Sequence, residues 1–400
     1  MRTLKALFKS EHGVVLAISL LVLTMLIAGG MGAIFSTQMD LNTSSNLRTG
    51  RQAFYIAEAG LHQAWQELDK SDGISEFEQV FSVPGVTELL SRVDFAGGNY
   101  TVMAEGIPGS RPKRIKATST GCFPAGNPCS SGHSRVVIEA QFRREPLFPC
   151  VLCGREGVAL SSGAMTDSYD SREGPYSIAT AGNRADVKSN GNIALSGAAT
   201  LVRGDAVAGG TVSTNGGATI TGDTINNAPP FGFPQVIPCG PPFSPGAGIA
   251  GGNYDSTTGQ LRGAGSDAII LANGTYCFSS VELTGNSTLT VTGPITLYLT
   301  APSSFAGGGI INTTANAENF KIVTSLSSSE LGITVLGGTR AYMTLYAPNA
   351  RVEVTGGGDL YGAIVGRSIV NTSGTKFHYD RKLKDSEDGK LRMVVWKEAL

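Results

Sequence analysis

Three aspartates, Asp186, Asp205 and Asp223, recur at intervals of nineteen and eighteen residues. Carboxylates stacked at such a period, with Arg or Lys beside them, are what a polysaccharide-cleaving site needs to hold a metal or stabilise a carbanion. Two of the three follow glycine, as Gly204–Asp205 and Gly222–Asp223, and Gly-Asp is a turn dipeptide. They are therefore read as turn residues. A second acidic pair, Asp167 and Asp170, lies in DSYDSREGPY among serine hydroxyls, an oxygen-rich set of the kind that binds Ca²⁺. It matches no complete calcium loop, and an exposed loop at the start of a domain is the first reading. Cys150 and Cys153 have CxxC spacing, but there is no second CxxC, and His12, His62, His133 and His378 are scattered. Neither a zinc site nor a thioredoxin-like centre is expected. No nucleophile–His–carboxylate set, phosphate-binding glycine loop or dinucleotide fingerprint stands out, so no enzyme and no cofactor are expected.

The elements that must position these residues emerge from composition and periodicity. A net charge of −1 with 16% charged residues removes the electrostatic basis for binding nucleic acid. Fifty-three glycines and 41% hydrophobic residues suit short strands joined by tight turns. The chain starts differently. Arg2, Lys5 and Lys9 precede an uncharged apolar run over 14–35. At about 1.5 Å per residue that run reaches roughly 33 Å, enough to cross a membrane. The flanking charge puts the N-terminus in the cytoplasm and exports the chain beyond the run. Residues 36–70 continue as an amphipathic helix, with apolar positions at Ala53, Ile56, Ala57, Gly60, Leu61, Ala64, Trp65 and Leu68.

Residues 71–146 hold three alternating runs, 99–105, 114–120 and 135–142, which read as an antiparallel meander on the helix. From 147 charges thin out and glycines multiply. Short apolar segments then recur every five to eight residues, broken by a Pro-rich insertion over 229–245. Strands so short and closely spaced favour a parallel solenoid over the alternative, an antiparallel jelly roll or sandwich. The expected solenoid spans 147–380, and the tail over 381–400, with the apolar run 391–396, would cap its last coil. Six cysteines, Cys122, Cys129, Cys150, Cys153, Cys239 and Cys277, are candidates for structural disulfides in an oxidising exterior, with connectivity open.

The string NLRTGRQAFYIAEAGL from residue 46 resembles the N-terminal region of PilX-type minor pilins, with Arg48, Gln52, Ala53, Phe54, Ala57, Glu58, Ala59, Gly60 and Leu61 on the pattern. The short leader over 1–13 ending at Gly13 resembles a prepilin peptidase site, which implies cleavage before Val14 and N-methylation there. The stretch 345–380 resembles the β-helical domain often appended to such proteins. The resemblance implies a mainly β protein: a long N-terminal transmembrane and amphipathic helix, a small pilin-like α+β head, then a right-handed parallel β-helix. It implies as partners the membrane, prepilin peptidase, other minor pilins and the pilus assembly machinery, and so a structural role in priming or at the tip; the alternatives are an adhesin that binds polysaccharide or a surface through the solenoid and, after that, a surface-anchored polysaccharide lyase. The place implied is the inner membrane before assembly, then the pilus tip or cell surface. One departure is specific. Where major pilins carry a glutamate at the fifth mature position, this chain has Ile18, which points to a subunit at the end of a filament rather than within it. Gly29, Gly30 and Gly32 fit equally a local melting point and the ordinary glycine content of membrane helices.

Overall fold

The computed structural model of the chain describes residues 11–69, 76–110, 112–126, 129, 132–241, 243, 249–250, 253–336, 340–386, 389 and 391–399. They fall into two compact units, Met1–Arg143 with Met393–Leu400, and Arg144–Arg392. The leader residues Arg2, Lys5 and Lys9 lie outside the described residues.

In the first unit, α1 (Glu11–Asp69) is one continuous helix that includes Gly13 and Val14 and passes through Gly29, Gly30 and Gly32 without a break. Its two parts meet different surroundings. From Val15 to Leu47 the large apolar side chains stand exposed, whereas Ala53, Ile56, Ala57, Leu61, Ala64 and Leu68 are buried. Spacings of three and four residues put those six on one stripe. The stripe packs on an antiparallel sheet of β1 (Val86–Phe95), β2 (Gly98–Gly106), β3 (Arg114–Phe123) and β4 (Ser134–Arg144), chiefly on β2 and β3. A short helix α2 (Glu76–Ser82) adds Phe77 and Val80 to the same core.

The sheet has five strands rather than the three expected. β1 escapes a periodicity reading because its register against β2 shifts twice, between Glu88 and Leu90 and between Leu90 and Val93, which destroys the alternation of faces. The fifth strand is Leu391–Ala399, beside β4. The expectation that 391–396 caps the solenoid is therefore corrected. Lys397 pairs with Glu139 of β4 at 3.0 Å and Trp396 packs edge-on against Phe54 of α1 at 5.9 Å. The edge this strand covers would otherwise expose the unpaired N–H and C=O groups of β4.

The second unit is a parallel β-solenoid of about nine turns. Inward side chains alternate with outward ones, as in Ile295–Leu299 and Thr288–Val291. Its stacking order is not its chain order. The chain enters in the middle of the stack at β5 (Leu152–Leu160), and coils through Val187–Ser189 and Ala206–Ala208 to Thr224–Ile225 at one end. It resumes at the other end with Gln260–Gly263 and Ala268–Leu271, and returns through Gly274–Phe278, Ile295–Leu299, Phe320–Thr324 and Ala341–Thr355 to Asp359–Asn371. That last strand pairs with β5, Ile364 opposite Leu152 through Asn371 opposite Leu160. The two halves of the stack thus meet at a seam beside the point where the chain enters. Entering and leaving segments lie side by side there: Gly389 N donates to Glu145 O at 3.0 Å, and Arg392 pairs with Glu145 at 2.8 Å.

The Pro-rich segment is the strap joining the two ends. Asn190 exchanges two hydrogen bonds with the Phe231 backbone, Tyr346 OH donates to Pro234 O at 2.7 Å, and Cys239 is bonded to Cys277. From the Asn190 coil to the Cys277 coil is six inter-strand steps, about 29 Å at the usual spacing. The eight residues from Phe231 to Cys239 reach at most about 29 Å, so with the Asn190 side chain and the disulfide at its ends the strap is long enough to join the two coils only in an extended form, which proline favours. The 38-residue separation of its disulfide makes Cys277→Ser worth about 2–4 kcal/mol of stability in the chain-entropy account. Urea unfolding with and without reductant measures it.

Candidate functional site

The pilin-like motif is the docking face of α1. Ala53, Ala57 and Leu61 are buried, Gln52, Phe54, Glu58 and Ala59 are half-buried, and Arg48 is exposed. The approach of helix and sheet is close enough to require glycine at two facing points. A methyl group on Gly60 would strike Ser119 and Tyr100, and one on Gly121 of β3 would strike the backbone of Ala53 and Ala57, the latter at 2.6 Å. Gly121→Val is expected to lower the stability of this unit by about 3 kcal/mol, because neither backbone can move aside cheaply. Gly50→Ala, on the same helix with open space around it, is expected to gain about 1 kcal/mol. Thermal unfolding of the two variants distinguishes these opposite signs.

The periodic aspartates form a ladder between coils. Asp186 Oδ1 accepts from Asp205 N at 3.3 Å, and Asp205 Oδ1 accepts from Asp223 N at 2.9 Å. Asp186 and Asp205 each secure the backbone corner of the next coil. The cysteines pair as Cys122–Cys129, Cys150–Cys153 and Cys239–Cys277.

A buried polar cluster lies at the seam. β6 (Met165–Tyr169) pairs in parallel with Lys376–Asp380, which places His378 opposite Asp167. Going back along the stack, Tyr361 is opposite His378 and Tyr342 opposite Tyr361. One residue per coil therefore stands in a column. The rings of Tyr342 and Tyr361 stack at 4.3 Å, and those of Tyr361 and His378 at 4.6 Å. His378 Nδ1 lies 2.6 Å from Asp167 Oδ1, and Nε2 lies 3.3 Å from Asp359 Oδ1. The other oxygen of Asp167 accepts from Tyr176 OH at 2.8 Å. Burial pushes the Tyr361 hydroxyl up to about 12, and burial followed by the bond to Asp167 pushes that of Tyr176 up as well. These phenols stay protonated and can donate.

The expected exposed loop containing Asp167 and Asp170 is thus corrected: Asp167 ends up fully buried on β6, and Asp170 is also buried. The two carboxylates do not share an oxygen cage. Asp170 is gripped by Arg172, whose Nε and Nη2 donate at 2.8 and 2.7 Å, and Arg381 stands 3.7 Å away. The bond to Arg172 holds the Asp170 carboxyl below its usual range. Among the described residues no group of three or more His, Cys, Asp or Glu side chains is placed to hold a metal.

Next to the cluster is a cleft of about 440 Å³ lined by Ser168, Tyr169, Asp170, Glu173, Asn183, Arg184 and Arg381 among others. Its rim is the segment between Asp170 and Arg184, closed at the base by two hydrogen bonds between Ser168 and Gly182, at 3.1 and 2.7 Å. Arg184 N donates to Ser168 Oγ at 3.0 Å, and Tyr176 plugs the middle of the rim into the core through Asp167. Periodicity reasoning missed His378, Asp359, Tyr176, Tyr361 and Tyr342. The intervals of nineteen and seventeen residues across Tyr342, Tyr361 and His378 repeat the coil length. No period leads from His378 to Asp167.

Residues 12–62 match the PilX N-terminal family model, and residues 265–386 match that of a domain of unknown function, DUF7305. No curated protein matches the chain. Among solved structures, the competence-associated pilin ComZ from Thermus thermophilus is 10% identical with a TM-score of 0.27, covering 88% of this chain and 97% of that one. An ice-binding protein from an Antarctic ascomycete, Antarctomyces psychrotrophicus, is 16% identical with a TM-score of 0.22, covering 59% of this chain and 96% of that one. Neither score defines a fold. The first family match falls on α1 with its docking stripe and the second on the parallel coils, so the chain joins a PilX-type N-terminal region to a C-terminal β-helical domain.

Proposed function

We propose that this protein is a minor pilin of a type IV pilus or secretion pseudopilus. Its α1 inserts in the inner membrane with the N-terminus cytoplasmic, prepilin peptidase cuts between Gly13 and Val14, and the mature chain joins other minor pilins in the priming or tip complex. The observation that carries this reading is α1 itself: a PilX-type motif docked on a sheet, continuous with a turn-after-turn apolar stem whose side chains find no cover among the described residues. Leaving a large apolar side chain in water forgoes about 1.5–3 kcal/mol. Lipid before assembly, and neighbouring pilin helices afterwards, supply the missing cover. Ile18 supports an end position, since a terminal subunit has no neighbour's amine to pair with a carboxylate there.

The solenoid is read as a displayed binding module for polysaccharide or a surface, and its role as structural rather than catalytic. In support, Asp186 and Asp205 are engaged with the backbone of adjacent coils and Asp167 with His378 and Tyr176. Shearing cells and assaying the released filaments tests the assembly reading. The chain is expected to co-purify with pili and to disappear from that fraction in cells lacking prepilin peptidase. Its release from peptidase-deficient cells in equal amount contradicts the proposal.

A further inference from the structure

The cleft beside the seam carries equal charge of both signs. Asp170 and Glu173 face Arg184 and Arg381, and Arg381 already reaches Glu173 at 3.3 Å and Asp170 at 3.7 Å. A phosphate, sulfate or carboxylate ligand would meet two carboxylates, and a cation would meet two guanidiniums, so neither gains net attraction. Both donors and acceptors line the space, on Arg184, Arg381, Asn183 and Thr180 and on Asp170 and Glu173. A hydroxylated ligand suits such a wall, because each of its hydroxyls donates and accepts at once.

Further features fit the same chemistry. The exposed Pro175 gives the cleft an apolar side, against which the C–H face of a sugar ring can lie. The volume, about 440 Å³, is in the range of small-ligand sites. The rim is held in advance by Ser168, Gly182 and Tyr176, so binding need not order it.

We propose that this cleft is a binding subsite for a neutral pyranose unit of a glycan. The proposal deepens the display role given above and rests on it only for where the cleft is presented. Its test is independent of assembly: the full chain in detergent micelles is titrated with glucose, galactose, mannose and N-acetylglucosamine, and with glucuronate and glucosamine as charged counterparts. Saturation-transfer NMR and calorimetry read the binding. At least one neutral sugar is expected to bind, more tightly than either charged one. Its affinity should fall at least tenfold in Asn183→Ala/Arg184→Ala, two exposed rim positions, and in Thr180→Trp, which fills the mouth. Arg262→Ala, on another coil, should leave it unchanged, and circular dichroism checks that all variants are folded. Absence of neutral-sugar binding at millimolar concentration, preference for a charged sugar, or equal affinity in the rim variants overturns the proposal. Filament recovery and N-terminal processing report separately on the pilin role.

Discussion

Replacing His378 by alanine is expected to lower the stability of the solenoid by about 3–5 kcal/mol, the usual consequence of removing one partner from a buried pair. Asp167 is 0% exposed and His378 2%, so the carboxylate left behind cannot turn to water and keeps only the Tyr176 hydroxyl. For a unit of this size that corresponds to a fall in Tm of about 6–20 °C. His378→Phe preserves the ring column but not the pairing, and most of the loss should persist. Asp359→Ala, whose side chain is 35% exposed, should cost less than about 1 kcal/mol. Calorimetry of the three variants gives the order, and equal small losses in all of them would show that the seam pair does not hold the two halves of the stack together. The position of the pair explains its size. It joins residues 211 apart at the place where the coil built early in the chain must find the coil built last. Parallel strands with similar alternating patterns slip easily, and a buried polar pair specifies one register.

Excising the solenoid is expected to give opposite results according to where the cut ends. Gly389 is bonded to Glu145, so a tight turn replacing residues 147–387 reconnects β4 to Leu391–Ala399 and retains the five-stranded sheet. Such a protein should fold, enter pili and fail to support attachment. Truncation after residue 146 also removes Leu391–Ala399, with Trp396 against Phe54 and Lys397 on Glu139. It bares the edge of β4, and it should lose piliation as well. Counting pili and adherent cells for the two variants gives the comparison. Equal piliation in both would mean that the last strand does not matter to the head.

The contrast between those deletions also shows where sequence reasoning ran out. The stem, the docking stripe and the strand-rich repeat were legible, because each is a local periodicity carried by consecutive residues. The fate of 391–396 was not, because an apolar alternating run says that it is a strand and nothing about which sheet it joins, and its partner lies some 250 residues earlier. The same holds for the stacking order. Chain order suggests that coils succeed one another, whereas the strap carries the chain from one end of the stack to the other and makes β5 and Asp359–Asn371 neighbours. Asp167 looked exposed for this reason: alone, DSYDSREGPY is a polar loop, and only the strand Lys376–Asp380 beside it turns its first residues into core.

In the candidate site the local and non-local parts separate in the same way. The ladder of Asp186, Asp205 and Asp223 showed in its spacing. Tyr342, Tyr361 and His378 had a readable period too, hidden by the mixture of residue types. The contact of His378 with Asp167 had none.

The central claim, that this chain is processed and assembled as a pilin, is tested most directly by mass spectrometry of its N-terminal peptide from a sheared surface fraction. A peptide beginning at Val14 with its amine methylated is expected. A surface-released chain that still begins at Met1, or one cut after the apolar run near Phe35, would contradict it.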